Sequence, residues 1–90
     1  MKENKTYYLP CVVYMGGVYR IFTSGYIMYN PNVKDLITTN YEEAFKVYSR
    51  RVIYILLGRV RGLVKPSILE TIAKDETEAA RKLKKMARNM

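Results

Sequence analysis

Residues 6–23 read TYYLPCVVYMGGVYRIFT, and the reading of this stretch decides the fold class. Tyr, Val and Ile crowd both halves, which is the composition of strands. Between them Gly16-Gly17 supplies the positive φ angles that a two-residue hairpin turn requires. The expectation is a strand over residues 6–15, a turn, and a return strand over 18–23. In the return strand Val18, Arg20 and Phe22 share one face, and Tyr19, Ile21 and Thr23 the other. Ser24-Gly25 marks a second turn, and Tyr26 to Tyr29 a third strand. Pro10 has no amide proton, so the first strand should lie at an edge or bulge there. Residues 6–29 therefore read as a three-stranded antiparallel meander. Beyond Asn30-Pro31-Asn32, Val33 to Thr38 fits either a fourth strand or one helical turn.

Downstream the pattern turns helical. Thr39-x-x-Glu42 and Asn40-x-x-Glu43 both match a capping box, in which a cap side chain and a later carboxylate satisfy free amides. Ala44, Phe45, Tyr48, Val52, Ile55, Leu56 and Val60 then recur at helical spacing. This predicts one long helix over 39–61, loosened by Gly58 and Gly62. Val52 to Leu57 is apolar at every position; the competing reading, a central strand, breaks the stripe through Ala44 and Tyr48. An all-apolar helix there needs cover on more than one side, and a second copy of the chain is one source of it. Pro66 suits a first helical turn, and Ser67-x-x-Glu70 and Asp75-x-x-Glu78 repeat the capping signal. Residues 66–88 thus read as a C-terminal helical region, in one piece or two. The expected fold is α+β: a three-stranded, or four-stranded, meander on two or three helices in a single domain over 1–90.

Composition bounds the function. The chain has 90 residues and a net charge of +8. Domains of this size bury only about 60–65% of their unfolded surface, so the core is thin. Residues 1–45 carry no net charge; Lys46 to Arg88 carry the whole excess. Eight of the nine tyrosines precede Val52. A packed aromatic platform joined to a cationic element points to a polyanionic partner. One cysteine excludes an internal disulfide, and the longest apolar run falls far short of the ~20 residues a spanning helix needs. The expected compartment is the cytoplasm. The absence of Gln and the many charges fit a thermophilic source, archaeal or viral, while five Asn and five Met weigh against one.

No motif specifies a reaction. There is no His to pair with Cys11 as a base or to join it at a zinc site, so no catalytic residue, metal or cofactor is expected. Glu42-Glu43 and Asp75-Glu76-Glu78 are accounted for as helix starts. Gly16-Gly17 lacks the pattern of a phosphate loop. Arg81, Lys84, Lys85 and Arg88, by contrast, recur three and four residues apart and stack on one helix face opposite Leu83 and Met86, with Lys82 to the side. Acids at the start and bases at the end also suit the helix dipole; the functional reading is a phosphate-contacting helix. Arg50, Arg51, Arg59 and Arg61 are auxiliaries if they lie beside it; otherwise they solubilise the apolar run and pair with Glu42, Glu43 or Glu70.

A strand meander feeding a helix through Thr39-x-x-Glu42-Glu43-Ala44 is similar to the supersecondary plan of several small DNA-binding modules, integrase arm-binding domains among them. The aromatic and basic strand positions of that family do not map onto this chain, and membership does not follow. The expectation is thus a non-enzymatic nucleic-acid-binding protein, homodimeric, with no small-molecule substrate. The alternative is a protein–protein module, a regulator, inhibitor or assembly subunit, that uses a tyrosine-bearing sheet face through Tyr8, Tyr14, Tyr19 and Arg20.

Overall fold

A computed structural model describes residues 3–22, 24–59 and 65–90. The chain runs β1 (Lys5–Tyr14), β2 (Gly17–Ile21), β3 (Ile27–Tyr29), a 3-10 turn at Val33–Asp35, α1 (Tyr41–Val47), α2 (Arg50–Arg59), β4 (Lys65–Ala73) and α3 (Glu76–Arg88). The strands form one antiparallel sheet in the order β3-β2-β1-β4. The α+β expectation holds, with four strands.

The hairpin turn is Met15-Gly16, one residue earlier than the Gly16-Gly17 expected: both have positive φ, at 50° and 77°, and Tyr14 pairs with Gly17. Gly17 is instead a strand residue. A Cβ on it would lie 3.3 Å from the Tyr29 ring and 3.5 Å from the Tyr19 ring, so its missing side chain is what lets those rings close over the strand.

The largest correction concerns the C-terminal region. Residues 65–73 are not helix but β4, laddered against β1 from Lys5↔Ala73 to Val13↔Lys65. Side chains alternate between its faces, with Ser67, Leu69, Thr71 and Ala73 on one and Ile68, Glu70 and Ile72 on the other: Leu69 and Ala73 are buried, Glu70 and Ile72 exposed. Pro66 sits where an edge strand tolerates it. The pleat turns the backbone groups of Pro66, Ile68, Glu70 and Ile72 away from β1, so no ladder bond needs a Pro66 amide. Two of those outward carbonyls are occupied: the Tyr48 hydroxyl donates to Pro66 and the Lys82 ammonium to Ile72 at 2.9 Å.

Pro10, expected at an edge, lies in the central strand opposite Ile68. The β2 ladder stops at Val12↔Tyr19, and pairing on that side of β1 resumes only at Tyr8, which exchanges bonds of 2.8 and 3.0 Å with Thr38. By the two-residue repeat the Pro10 nitrogen faces the gap between them, where no donor is required.

The single helix expected over 39–61 is two helices. Asn40 caps α1 by accepting from the Glu42 and Glu43 amides. The chain breaks at Tyr48-Ser49, and the Ser49 hydroxyl accepts from the Val52 amide at 3.4 Å to start α2. Val52 to Leu57 is helical as preferred, but covered on one side only: Val52 and Leu56 are buried, Tyr54 and Leu57 exposed. Val60, Arg61 and Gly62 lie outside the described residues.

Strand alternation sorts the core into two clusters, one per sheet face. Tyr7, Leu9, Cys11 and Val13 of β1 pack with Val18, Leu69 and Ala73 beneath Ala79, Leu83 and Ala87 of α3. Val12 and Ile21 face the other way and pack with Val52 and Leu56 of α2. The sheet is therefore a partition, with α3 on one side and α2 on the other.

Candidate nucleic-acid interface

The C-terminal helix starts as its sequence dictates. Asp75 accepts from the Glu78 amide at 2.8 Å, and the Glu78 carboxylate accepts in return from the Lys74 amide at 3.1 Å. That amide, and then Lys82, hold the Glu78 carboxyl below its usual range. Ala79, Leu83 and Ala87 recur at four-residue spacing and are all fully buried, which lets the backbone lie close on the sheet. The opposite face carries Arg81, Lys84, Lys85 and Arg88, each exposed and, with Lys82 and Asn89, lining one open depression. Lys82, half-exposed, is engaged within the fold: besides its bond to Ile72 it pairs with Glu78 at 3.2 Å. Among the described residues this is the one ion pair, so the other four bases of the helix keep their charge unneutralised.

The second arginine group is not brought to this face. Arg50 and Arg51 are exposed on α2, across the sheet from α3. Arg59 ends α2, and Arg61 falls outside the described residues. Nor do Arg50 and Arg51 pair with Glu42, Glu43 or Glu70. They keep the start of an apolar helix in water.

Tyr7 is in the core beneath α3, and five other tyrosines form two groups on the α2 side of the sheet. Tyr14 and Tyr19 stand edge to face at 6.2 Å, and Tyr19 and Tyr29 at 5.4 Å, over Gly17. Tyr29 is 58% exposed and Tyr14 38%. Tyr8 belongs elsewhere, packed on Tyr41 at 5.2 Å, with Phe45 beyond. Arg20 points to the opposite face, its guanidinium 5.0 Å from the centre of the Phe22 ring. The four residues expected to form one interaction surface thus occupy three places.

A cleft of about 240 Å³ at the end of the sheet was not foreseen. Gly16, Gly17, Tyr29 and Asn30 line one wall, and Lys84 and Arg88 the other. It forms because Gly16 comes to the backbone of Arg88; a Cβ there would sit 3.8 Å from the Arg88 carbonyl oxygen. The signal was present in part: a tight β2–β3 connection puts Tyr29 opposite Tyr19, but nothing in the sequence announces that α3 ends at the hairpin turn. The larger depression near the start of α3, about 670 Å³, is lined by Glu3, Asp75 and Glu76 against Lys5, Lys34 and Lys74, and its opposed charges cancel.

Cys11 is fully buried. Burial pushes its thiol from 9.0 up to about 12, against a slight opposing pull from Ser67, its partner across the ladder. A thiol so protonated is no nucleophile at neutral pH. Among the described residues, no three Cys, Asp or Glu side chains converge as a metal site requires, and no helix is long and apolar enough to cross a membrane. Compared with protein-family models, with curated proteins and with solved structures, the chain matches none.

Proposed function

We propose that this protein binds nucleic acid without catalysis, contacting phosphates through Arg81, Lys84, Lys85 and Arg88. One observation carries the reading: these four bases stand side by side on an exposed helix face while the fifth, Lys82, is engaged by Glu78. Each base that neutralises a phosphate releases condensed counterions, so affinity should fall steeply with salt. Arg50 and Arg51, across the sheet, have no part in this surface. The test is fluorescence anisotropy with labelled DNA and RNA, single-stranded and duplex, across a salt series. Binding lost on replacing all four bases with Gln supports the proposal; no binding at low salt ends it. The reading includes a cytoplasmic location and a homodimer that covers Tyr54 and Leu57 of α2. A monomer by light scattering at high micromolar concentration removes the dimer.

The exposed Tyr14, Tyr29, Tyr41 and Phe45 favour a second reading, a protein–protein module. It requires that Tyr substitutions abolish capture of the partner while charge reversal on α3 is tolerated.

A further inference from the structure

We infer that the ligand is a single strand whose phosphates lie along α3 and whose bases stack on the Tyr14–Tyr19–Tyr29 row on the other face of the sheet, reached round the β3 edge at the cleft between Lys84, Arg88 and Tyr29. This rests on the nucleic-acid reading above and specifies it. Three observations converge. First, the cleft at the end of the sheet brings Lys84 and Arg88 against Tyr29, whose ring turns to the α2 side over Gly17, so a strand that follows α3 to its end passes round the β3 edge from cations to a π-face, the two chemistries a nucleotide presents. Second, Tyr29 is the outermost of a row of three rings and more than half exposed, so an unpaired base can lie against it without the core moving. In a duplex the base faces are already stacked on one another, and only a single strand can offer them. Third, α3 is unsuited to lying in a duplex groove along its length. Its N-cap and first turn carry Asp75, Glu76 and Glu78, and the bases begin only at Arg81. A groove-reading helix presents its N-terminal residues to the DNA, and here those residues repel phosphate. The cationic end is instead the end that abuts the hairpin turn and its tyrosines.

The experiment compares anisotropy-derived affinities for four labelled probes of equal length: single-stranded DNA, single-stranded RNA, duplex DNA and an abasic DNA strand with the same phosphates and no bases. The variants are Tyr29→Leu, Tyr29→Phe and Lys84→Gln/Arg88→Gln, each checked for the wild-type melting profile. The expected result is that wild type prefers the normal strands to the abasic strand and to the duplex by about 5- to 160-fold, the range for stacking one base on an aromatic side chain. Tyr29→Leu should remove that preference and leave abasic binding unchanged, while Tyr29→Phe keeps it. Lys84→Gln/Arg88→Gln should weaken all four probes. Equal binding of abasic and normal strands, or a Tyr29→Leu variant indistinguishable from wild type, overturns the stacking inference and leaves the phosphate-binding proposal standing. A Lys84→Gln/Arg88→Gln variant that binds every probe like wild type, or a wild type that binds none, overturns both and favours a protein partner. The RNA and DNA arms show which strand is preferred.

Discussion

The charge assignment on α3 makes a quantitative demand that separates neighbouring lysines. Four bases are free to meet phosphates, and Lys82, between Arg81 and Lys84, is engaged by the Glu78 carboxylate and the Ile72 carbonyl. Counterion release gives a slope of log K against log salt of about −0.7 per phosphate contact on a single strand, hence about −2.8 for four contacts. Between 50 and 200 mM salt the affinity should fall about 50-fold. Replacing Lys84 and Arg88 by Gln leaves two contacts, a slope of about −1.4 and a fall of about 7-fold over the same range. Lys82→Gln, and Arg50→Gln with Arg51→Gln on the far side of the sheet, should leave the slope at the wild-type value. Anisotropy titrations at five or six salt concentrations give each slope directly. If Lys82→Gln flattens the slope as much as Lys84→Gln does, or if the α2 arginines flatten it at all, binding is diffuse attraction to net charge and the assigned surface is wrong.

Three further outcomes test the architecture. Gly25 has φ +82°, and a Cβ there would overlap the Ile55 Cγ2 and lie 2.8 Å from the Ile55 Cβ, so Gly25→Ala should cost about 2–5 kcal/mol from strain and overpacking together. Gly58→Ala, with open space around it in α2, should stabilise by about 0.5–1 kcal/mol; urea unfolding of the pair checks whether α2 sits over the β2–β3 turn. Burial raises the Cys11 thiol to about 12 from 9.0: the folded state holds the proton that the unfolded state sheds, so this stabilisation is complete below pH 9 and is lost as pH rises toward 12. Wild type should therefore lose stability relative to Cys11→Ala across that window, by on the order of a few kcal/mol. Tyr48, raised chiefly by burial and then by the charge of Cys11, adds to the decline above its ordinary 10.0. Tyr48→Phe should cost about 1 kcal/mol by leaving the Pro66 carbonyl without its donor, and combined with Lys82→Gln it should increase association through the β4 edge, read by light scattering.

What could be read from the sequence was whatever local chemistry controls. The hairpin follows from Gly16 amid β-formers, the α1 and α3 starts from Asn40 and Asp75, and the buried stripe of α3 from Ala79 and Leu83. The misreadings share a cause. Pro66 and Ser67-x-x-Glu70 satisfy every local rule for a helix start, yet a ladder with the distant β1 outweighs them, because pairing nine residues satisfies more backbone groups than one helical turn does. The continuous stripe from Ala44 to Val52 likewise conceals the break at Tyr48, whose hydroxyl reaches a carbonyl in β4. Spacing alone showed that Arg81, Lys84, Lys85 and Arg88 share a face. It carried no information on which side of the sheet each helix would pack, and so none on whether Arg50 and Arg51 would join them.

The position of β1 at the centre of the sheet also governs how the chain emerges during synthesis. Its partner on one side, β2, follows after two residues, but on the other side Lys5 must wait for Ala73. At translation rates of about 5–20 residues per second that interval lasts on the order of several seconds. Throughout it, one flank of Tyr7, Leu9 and Val13 is open to any other nascent strand. Slower, cooler expression, or a chaperone that shields the ribosome-proximal hairpin, should raise the recovered yield more than any surface substitution.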